Sequence, residues 1–452
     1  MADPLRIGLA IVATSCWLAL CVAAFRAHYA RRPRPFTLST DSMPLLLVHA
    51  SQTGFAEQVA QRTAVTLGDA GIMVQTVSLG ELDPTMLTSV DRALFIVSTT
   101  GEGDAPDNAA SFLATAARPT SLAGLRYALL ALGDRRYRHY CAFGHRLDHW
   151  LRANGARAEA DLIEVDNGDP GALRHWQQGL RLFGADSDMP DWAPPAYQRW
   201  RLAGRRLLNS GSLGGEIHHI ILEPEDRLPD WAAGDIVELY PGPAADAFAV
   251  DGPALPHREY SVASIPADGR IELVVRRMRH PDGRPGLGSG WLCEHAAPGT
   301  AIALRIRTNR AFHAPEPSRP MILIGNGSGI AGLRAHLSAR PEASRNWLLF
   351  GERSALHDRL FADELDRWRE SGRLARLDLA FSRDTPDRPY VQHRLLDAAD
   401  TLRDWVEQGA ALYVCGSQEG MAAGVNAALA TILGADRLEA LGEEGRYRRD
   451  VY

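Results

Sequence analysis

The chain has 452 residues, of which 46% are hydrophobic and 23% charged, and its formal net charge is −6. That length allows about three domains, and the ordinary apolar fraction excludes a disordered chain, a collagen-like chain and a small disulfide scaffold. The mild acidity argues against a general nucleic-acid binder. Five cysteines with no CxxC pair and no metal-ligand spacing point to a reducing compartment without structural disulfides.

Ile7 to Phe25 (IGLAIVATSCWLALCVAAF) carries no charge over 19 residues, about the length that crosses a bilayer core of roughly 30 Å. The AAF–RAH junction is a poor cleavage site, so the expectation is a retained transmembrane anchor at 7–25 rather than a signal peptide. Arg26, Arg31, Arg32 and Arg34 follow it. By the positive-inside rule this predicts a single-pass protein of the inner membrane with its folded part in the cytoplasm.

The first folded unit is expected over 43–184. Leu45–Val48 reads as a doubly buried strand, and further runs at Met73–Val77, Leu94–Val97, Tyr127–Leu132 and Leu162–Val165 alternate with helical stretches. This is the pattern of an α/β parallel sheet with ligands at the carboxyl ends of its strands. Three loops fall there. Ser51-Gln52-Thr53-Gly54 opens a helix and reads either as a phosphate cradle or as a Ser/Thr helix cap. Ser98-Thr99-Thr100-Gly101-Glu102-Gly103-Asp104 has two glycines that let a planar ligand approach. Leu132-Gly133-Asp134-Arg135-Arg136-Tyr137 offers an aromatic face.

In order, these loops resemble those of a flavodoxin-type FMN domain. The resemblance implies SQTG, with Phe55 and Ala56, at the phosphate, and Ser98 to Gly103 with Leu132, Gly133, Asp134, Tyr137, Tyr140, Cys141 and Asp166 around the isoalloxazine. Thr100 stands where relatives often have an aromatic residue. Asp134 replaces a usual Asn and adds a negative charge that Arg135 and Arg136 can offset.

Residues 185–196 (including DSDMPDWAPP) form an acidic, proline-rich linker. Short alternating runs then predict an antiparallel β-barrel domain over 197–317 (Glu216–Leu222, Asp235–Leu239, Tyr260–Ala263, Ile271–Val275, Ala301–Ile306). Arg258, Tyr260 and Ser261 on one strand suit a pyrophosphate, a stacked ring and a reacting edge, and Gly286, Gly288 and Ser289 precede a helix that suits a diphosphate. Taken alone, the four-residue run reads first as a polar edge strand. Together the two features resemble the FAD-binding barrel of the ferredoxin–NADP reductase family. Only Pro241 to His257 separates the two strands between which diflavin reductases carry a large connecting domain.

A third unit, an α/β domain over 318–452, begins with the strand Met321–Ile324 and the glycine-rich turn containing Gly327, Ser328 and Gly329. Ser382, Arg383, Arg388, Tyr390 and Gln392 cluster after a later strand, as a ribose 2′-phosphate needs; a solvated arginine pair is the alternative. The run SRDTPDRPYVQ, the YVCG around Cys415 and the YRRDVY terminus resemble the NADPH-dependent diflavin reductases. That resemblance implies a hydride-transfer site of Ser261, Cys415 and Asp450, with Tyr452 over the FAD ring. It implies FMN, FAD and NADPH as cofactors, electron flow from NADPH through FAD to FMN, and an acceptor protein: a haem protein, a sulfite reductase hemoprotein or a membrane ferric reductase partner. Glu102, Asp104, Asp107, Asp166 and Asp169 would steer a basic partner. The alternatives are a single-flavin FAD reductase that has lost FMN and a non-enzymatic flavin-binding redox sensor.

Overall fold

The computed structural model describes residues 44–116, 120–185, 192, 196–248, 255 and 257–451. The described residues build three sheets. The first consists of β1 (Leu45–Ala50), β2 (Val74–Ser78), β3 (Arg92–Ser98), β4 (Arg126–Gly133), β5 (Arg157–Ala158) and β6 (Ile163–Asp166), in the order β2-β1-β3-β4-β5 with β6 also against β4. All its pairings are parallel. Leu45, Leu46, Leu47 and Val48 are all buried, because helices cover both faces of a parallel sheet. The helix Phe55–Asp69 packs Ala56, Val59, Ala60 and Leu67 against one face. It stops before Gly71, whose φ of 78° permits the left-handed turn.

The second sheet is antiparallel, in the order β10-β9-β12-β7-β8-β11: β7 (Gln198–Leu207), β8 (Ile217–Pro224), β9 (Ile236–Leu239), β10 (Arg258–Ser261), β11 (Ile271–Arg276) and β12 (Ala301–Arg307). Just past β10, the Ala263 N–H donates to Glu272 O of β11 at 2.8 Å. This draws the two edge strands together around a core that includes Trp200, Leu222, Val237 and Leu304. Strand β7 has no counterpart among the expected runs. Only Trp200 and Leu202 are buried along it, and its register shifts between Leu202 and Gly204. Four arginines fill half of its remaining positions and hide the alternation.

The third sheet is parallel, in the order β15-β14-β13-β16-β17: β13 (Met321–Asn326), β14 (Asn346–Glu352), β15 (Arg376–Phe381), β16 (Ala411–Gly416) and β17 (Tyr447–Val451). Ile322, Ile324, Trp347, Leu349, Leu412 and Val414 face one helical layer. Met321, Leu323, Leu348, Phe350 and Tyr413 face the other layer together with Ile217, Ala263 and Val274 of the second sheet. One apolar core therefore joins the second and third sheets.

The expected inner-membrane location is corrected. Among the described residues no helix is long and apolar enough to cross a membrane. Their longest helix, Phe55–Asp69, has 15 residues, short of the roughly 20 that a span needs. The 7–25 segment, most of the 185–196 linker and Tyr452 lie outside the described residues.

Candidate active site

The carboxyl ends of the first sheet, one edge of the second and the strand ends of the third open on a single cavity of about 770 Å³. Gln52, Thr53, Phe55, Ser98, Thr99, Thr100 and Gly101 line it, as do Leu132, Gly133, Asp134, Tyr137, Tyr140 and Cys141. Arg258, Tyr260, Ser261, Gly286, Gly288 and Ser289 close it from the second sheet, and Ser328 and Asp450 from the third.

Within the first loop the side chains divide. The Ser51 hydroxyl accepts a hydrogen bond from the Ala56 N–H at 3.2 Å, so it caps the helix. Gln52 spans the boundary to the third sheet: its amide donates to Arg449 O at 2.7 Å and to Asp107 Oδ2 at 3.0 Å, and its Oε1 accepts from the Asp107 N–H at 2.8 Å. Gly54 has φ 83°, and a Cβ there would collide with the Thr308 carbonyl of the barrel, so only glycine permits this approach. Ala56 is buried beneath the loop.

Around the second loop, Ser98 Oγ donates to Ala50 O at 3.2 Å and Thr99 Oγ1 accepts from the Phe143 N–H at 3.2 Å. The Thr100 hydroxyl is buried and makes no hydrogen bond among the described residues. Glu102 and Gly103 lie outside the cavity wall; the Glu102 carboxylate accepts from the Arg138 N–H at 3.1 Å, and Gly103 O accepts from Arg146 at 2.7 Å. The negative charge of Asp134 is met locally. Burial works to raise its pKa, but the Arg136 side chain and N–H bind the carboxylate and hold it below the usual range. Cys141, at φ 53°, donates its thiol to Ala131 O at 3.3 Å, and burial pushes it up to about 12. Asp166 sits behind the wall and accepts from the Arg135 N–H at 3.0 Å.

Three residues that are far apart in sequence meet at the back. Ser261 Oγ donates to Asp450 Oδ2 at 2.7 Å, and Cys415 Sγ lies 3.8 Å from the same oxygen. All three are buried. Burial raises the Asp450 pKa, against the lowering effect of the Ser261 hydrogen bond. Burial first, and the neighbouring Asp450 charge second, push the Cys415 thiol well above its ordinary value. Such a thiol is a contact group rather than a nucleophile. Gly327 and Gly329 are buried in the turn below Ser328.

Ser382, Arg383, Arg388, Tyr390 and Gln392 form a separate group at the end of β15 and the start of the helix Val391–Asp397. None of them lines the cavity. Ser382 is buried, whereas Arg383, Arg388 and Tyr390 are exposed. Sequence reasoning missed Arg276, which lines the cavity and places Nη2 2.7 Å from where a Gly327 Cβ would stand. It also missed His257, Asn167 and Gly168, which line the same space. Arg276 had a readable signal, a cation closing the apolar strand Ile271–Val275; the other three carry none.

Residues 47–176 match the Flavodoxin family, and residues 323–427 match the Oxidoreductase NAD-binding domain family. Over an aligned span of 543 residues, the sulfite reductase [NADPH] flavoprotein alpha-component of Bacillus subtilis is 26% identical, with 91% of this chain and 89% of the relative covered. The chain is a homologue of diflavin reductases. The component of the same name from Vibrio cholerae is 27% identical over 545 residues (92% of this chain, 89% of the relative), and that from Neisseria meningitidis 25% over 548 (92% and 90%). These aligned spans exceed the 452 residues of this chain, so these relatives carry stretches with no counterpart here.

Proposed function

We propose that this chain is an NADPH-dependent diflavin oxidoreductase that passes electrons by way of FAD and FMN to a haem acceptor protein. The observation that carries the reading is the common cavity. Its volume lies in the upper part of the range for ligand pockets, roughly 300–1,000 Å³, and it is walled by loops of all three sheets. Its residues fit two flavins. Thr53, Thr100 and Gly101 line the flavodoxin side, and Arg258, Tyr260, Gly286, Gly288 and Ser289 line the barrel side. The unpartnered Thr100 hydroxyl is a donor left for a ligand.

When bound, the flavins supply hydride acceptance and one-electron delivery. The protein's own residues bind and orient. Tyr260, half-buried in the cavity wall, offers a stacking face, and Arg258 a cation for a diphosphate. Ser261 and Asp450 hold a proton at the buried edge of the site. Ser382, Arg383 and Arg388 hold the phosphorylated ribose at the other end of the nucleotide. Tyr452 covers the FAD ring in the family resemblance and keeps that place in this proposal.

The acceptor is assigned to the haem class because the relatives are components of sulfite reductase. Of the acidic residues expected to steer a partner, Asp107 is held inside the molecule by Arg449 and Gln52, and Asp169 caps the helix Pro170–Gly179. Stopped-flow mixing of the NADPH-reduced chain with a sulfite reductase haem subunit tests the reading. Haem reduction is expected. Reduction of ferricyanide with no reduction of any haem protein would instead favour a single-flavin FAD reductase.

A further inference from the structure

The carboxyl ends of the third sheet form a row. Its order, β15-β14-β13-β16-β17, puts Ser382 and Arg383 at one end and Cys415 and Asp450 at the other. Four strand spacings of about 4.8 Å lie between β15 and β17, or about 19 Å. In the proposed reading the phosphorylated ribose of NADPH is held at the first end and its hydride leaves at the second. Its diphosphate then crosses the ends of β14 and β13, which lie between. At β13 stands the glycine turn, from which the helix Ile330–Ala339 opens and offers N–H groups to an anion. At β14 stands a carboxylate, Glu352.

Glu352 is buried, and its backbone carbonyl accepts from the Ser382 N–H at 2.9 Å. Its side chain reaches the glycine turn, with Oε1 3.6 Å from the position of a Gly327 Cβ. Arg276 Nη2 is 2.7 Å from the same point and 3.3 Å from Glu352 Oε1. Arg276 lines the cavity, so the cation that faces the turn is already paired with a carboxylate. The other oxygen of Glu352 accepts from the Arg353 N–H at 3.2 Å. Burial first, and the neighbouring Asp358 charge with it, raise the Glu352 pKa against the lowering effects of Arg276 and Arg353. A buried carboxylate is poorly screened by salt. Beside a diphosphate it repels the ligand and competes with it for the guanidinium.

We infer that Glu352 sets the affinity for the nucleotide by competing with its diphosphate for Arg276. The inference rests on the proposed diflavin reading and deepens it. Glu352 is a positioning residue: ionised, it holds the guanidinium off the diphosphate, and protonated, it releases it, so nucleotide binding takes up a proton. The FAD-loaded full-length chain is titrated by calorimetry at pH 8 and pH 5.5 with NADP+ and with adenosine 2′-monophosphate. The second ligand keeps the phosphorylated ribose but lacks the diphosphate, so the ratio of the two affinities removes the titration of the 2′-phosphate itself. In the wild-type chain the preference for NADP+ is expected to be about threefold greater at pH 5.5 than at pH 8. In Glu352→Gln, with retained FAD absorbance as the check on folding, the preference at pH 8 is expected to exceed the wild-type value about fivefold and to be the same at both pH values. A wild-type preference that does not change with pH overturns the inference and leaves the diflavin reading standing. So does a folded Glu352→Gln that keeps the wild-type pH dependence or gains no preference at pH 8. A wild-type chain that binds neither ligand overturns both.

Discussion

At Asp450 the chemistry of one carboxyl group is set by where the fold puts it. The group is buried against Cys415 and accepts a hydrogen bond from Ser261, and burial raises its pKa. A carboxyl group whose pKa is higher in the folded than in the unfolded chain costs stability when ionised. That cost is present above the raised pKa and disappears as the pH falls below the ordinary carboxylate value. Asp450→Asn is therefore expected to raise the melting temperature at pH 7 by a few degrees, with the gain fading as the pH falls towards about 4. The same variant should slow NADPH–ferricyanide turnover about 10²-fold, the lower range for losing a positioned proton-handling group. Thermal melts at pH 7 and pH 4, with steady-state rates, check both parts. Ser261, Cys415 and Asp450 were legible as a set because YVCG and the chain end resemble a known pattern. Ser51 and Gln52 were only half legible. Whether a polar side chain turns towards a ligand, its own helix or a neighbouring module depends on contacts that local sequence does not encode.

Strand β17 shows how an element can be missed and still organise a site. Its sequence, Tyr447–Val451, places two arginines and an aspartate among five residues, so no alternation stands out. Parallel pairing with β16 makes it a strand, and it then has two functions. It carries Asp450 into the cavity, and it turns Arg449 outward to Asp107 of the flavodoxin part, with Nε to Oδ1 at 3.0 Å. Burial alone would lower the Arg449 pKa, but the Asp107 carboxylate holds the guanidinium above its ordinary value. A second ion pair, Arg310 with Glu57, spans the same boundary. The half-buried Arg449–Asp107 pair is worth roughly 1.5–3 kcal/mol, whereas the Arg310–Glu57 pair, whose arginine is exposed, is worth about 1 kcal/mol or less. Arg449→Ala is expected to loosen the docked arrangement. Small-angle scattering should show a larger radius of gyration, and NADPH–cytochrome c turnover should fall at least threefold. Ferricyanide turnover, which needs only the reductase part, should hold. An unchanged scattering profile would mean that the other contacts suffice.

Across the whole molecule, the absence of a large connection between β9 and β10 brings the two flavin modules into direct contact. Gly54 meets Thr308, Gly168 meets His257, and Gln52 meets Arg449. The two parallel sheets were legible because long apolar runs bounded by glycine-rich loops fix parallel strands in a simple way, and the antiparallel sheet because short alternating runs mark most of its strands. The docking was not, since each of its contacts joins residues more than about 80 positions apart and leaves no local pattern. The shared cavity is the product of that docking, and it is the basis for reading the chain as a two-flavin electron carrier. The most direct measurement of that claim is flavin extraction from the purified chain, followed by anaerobic addition of NADPH to an unextracted sample. One FMN and one FAD per chain, with the visible absorbance of both lost on adding NADPH, is the predicted result. FAD alone, or flavin absorbance unchanged by NADPH, would contradict it.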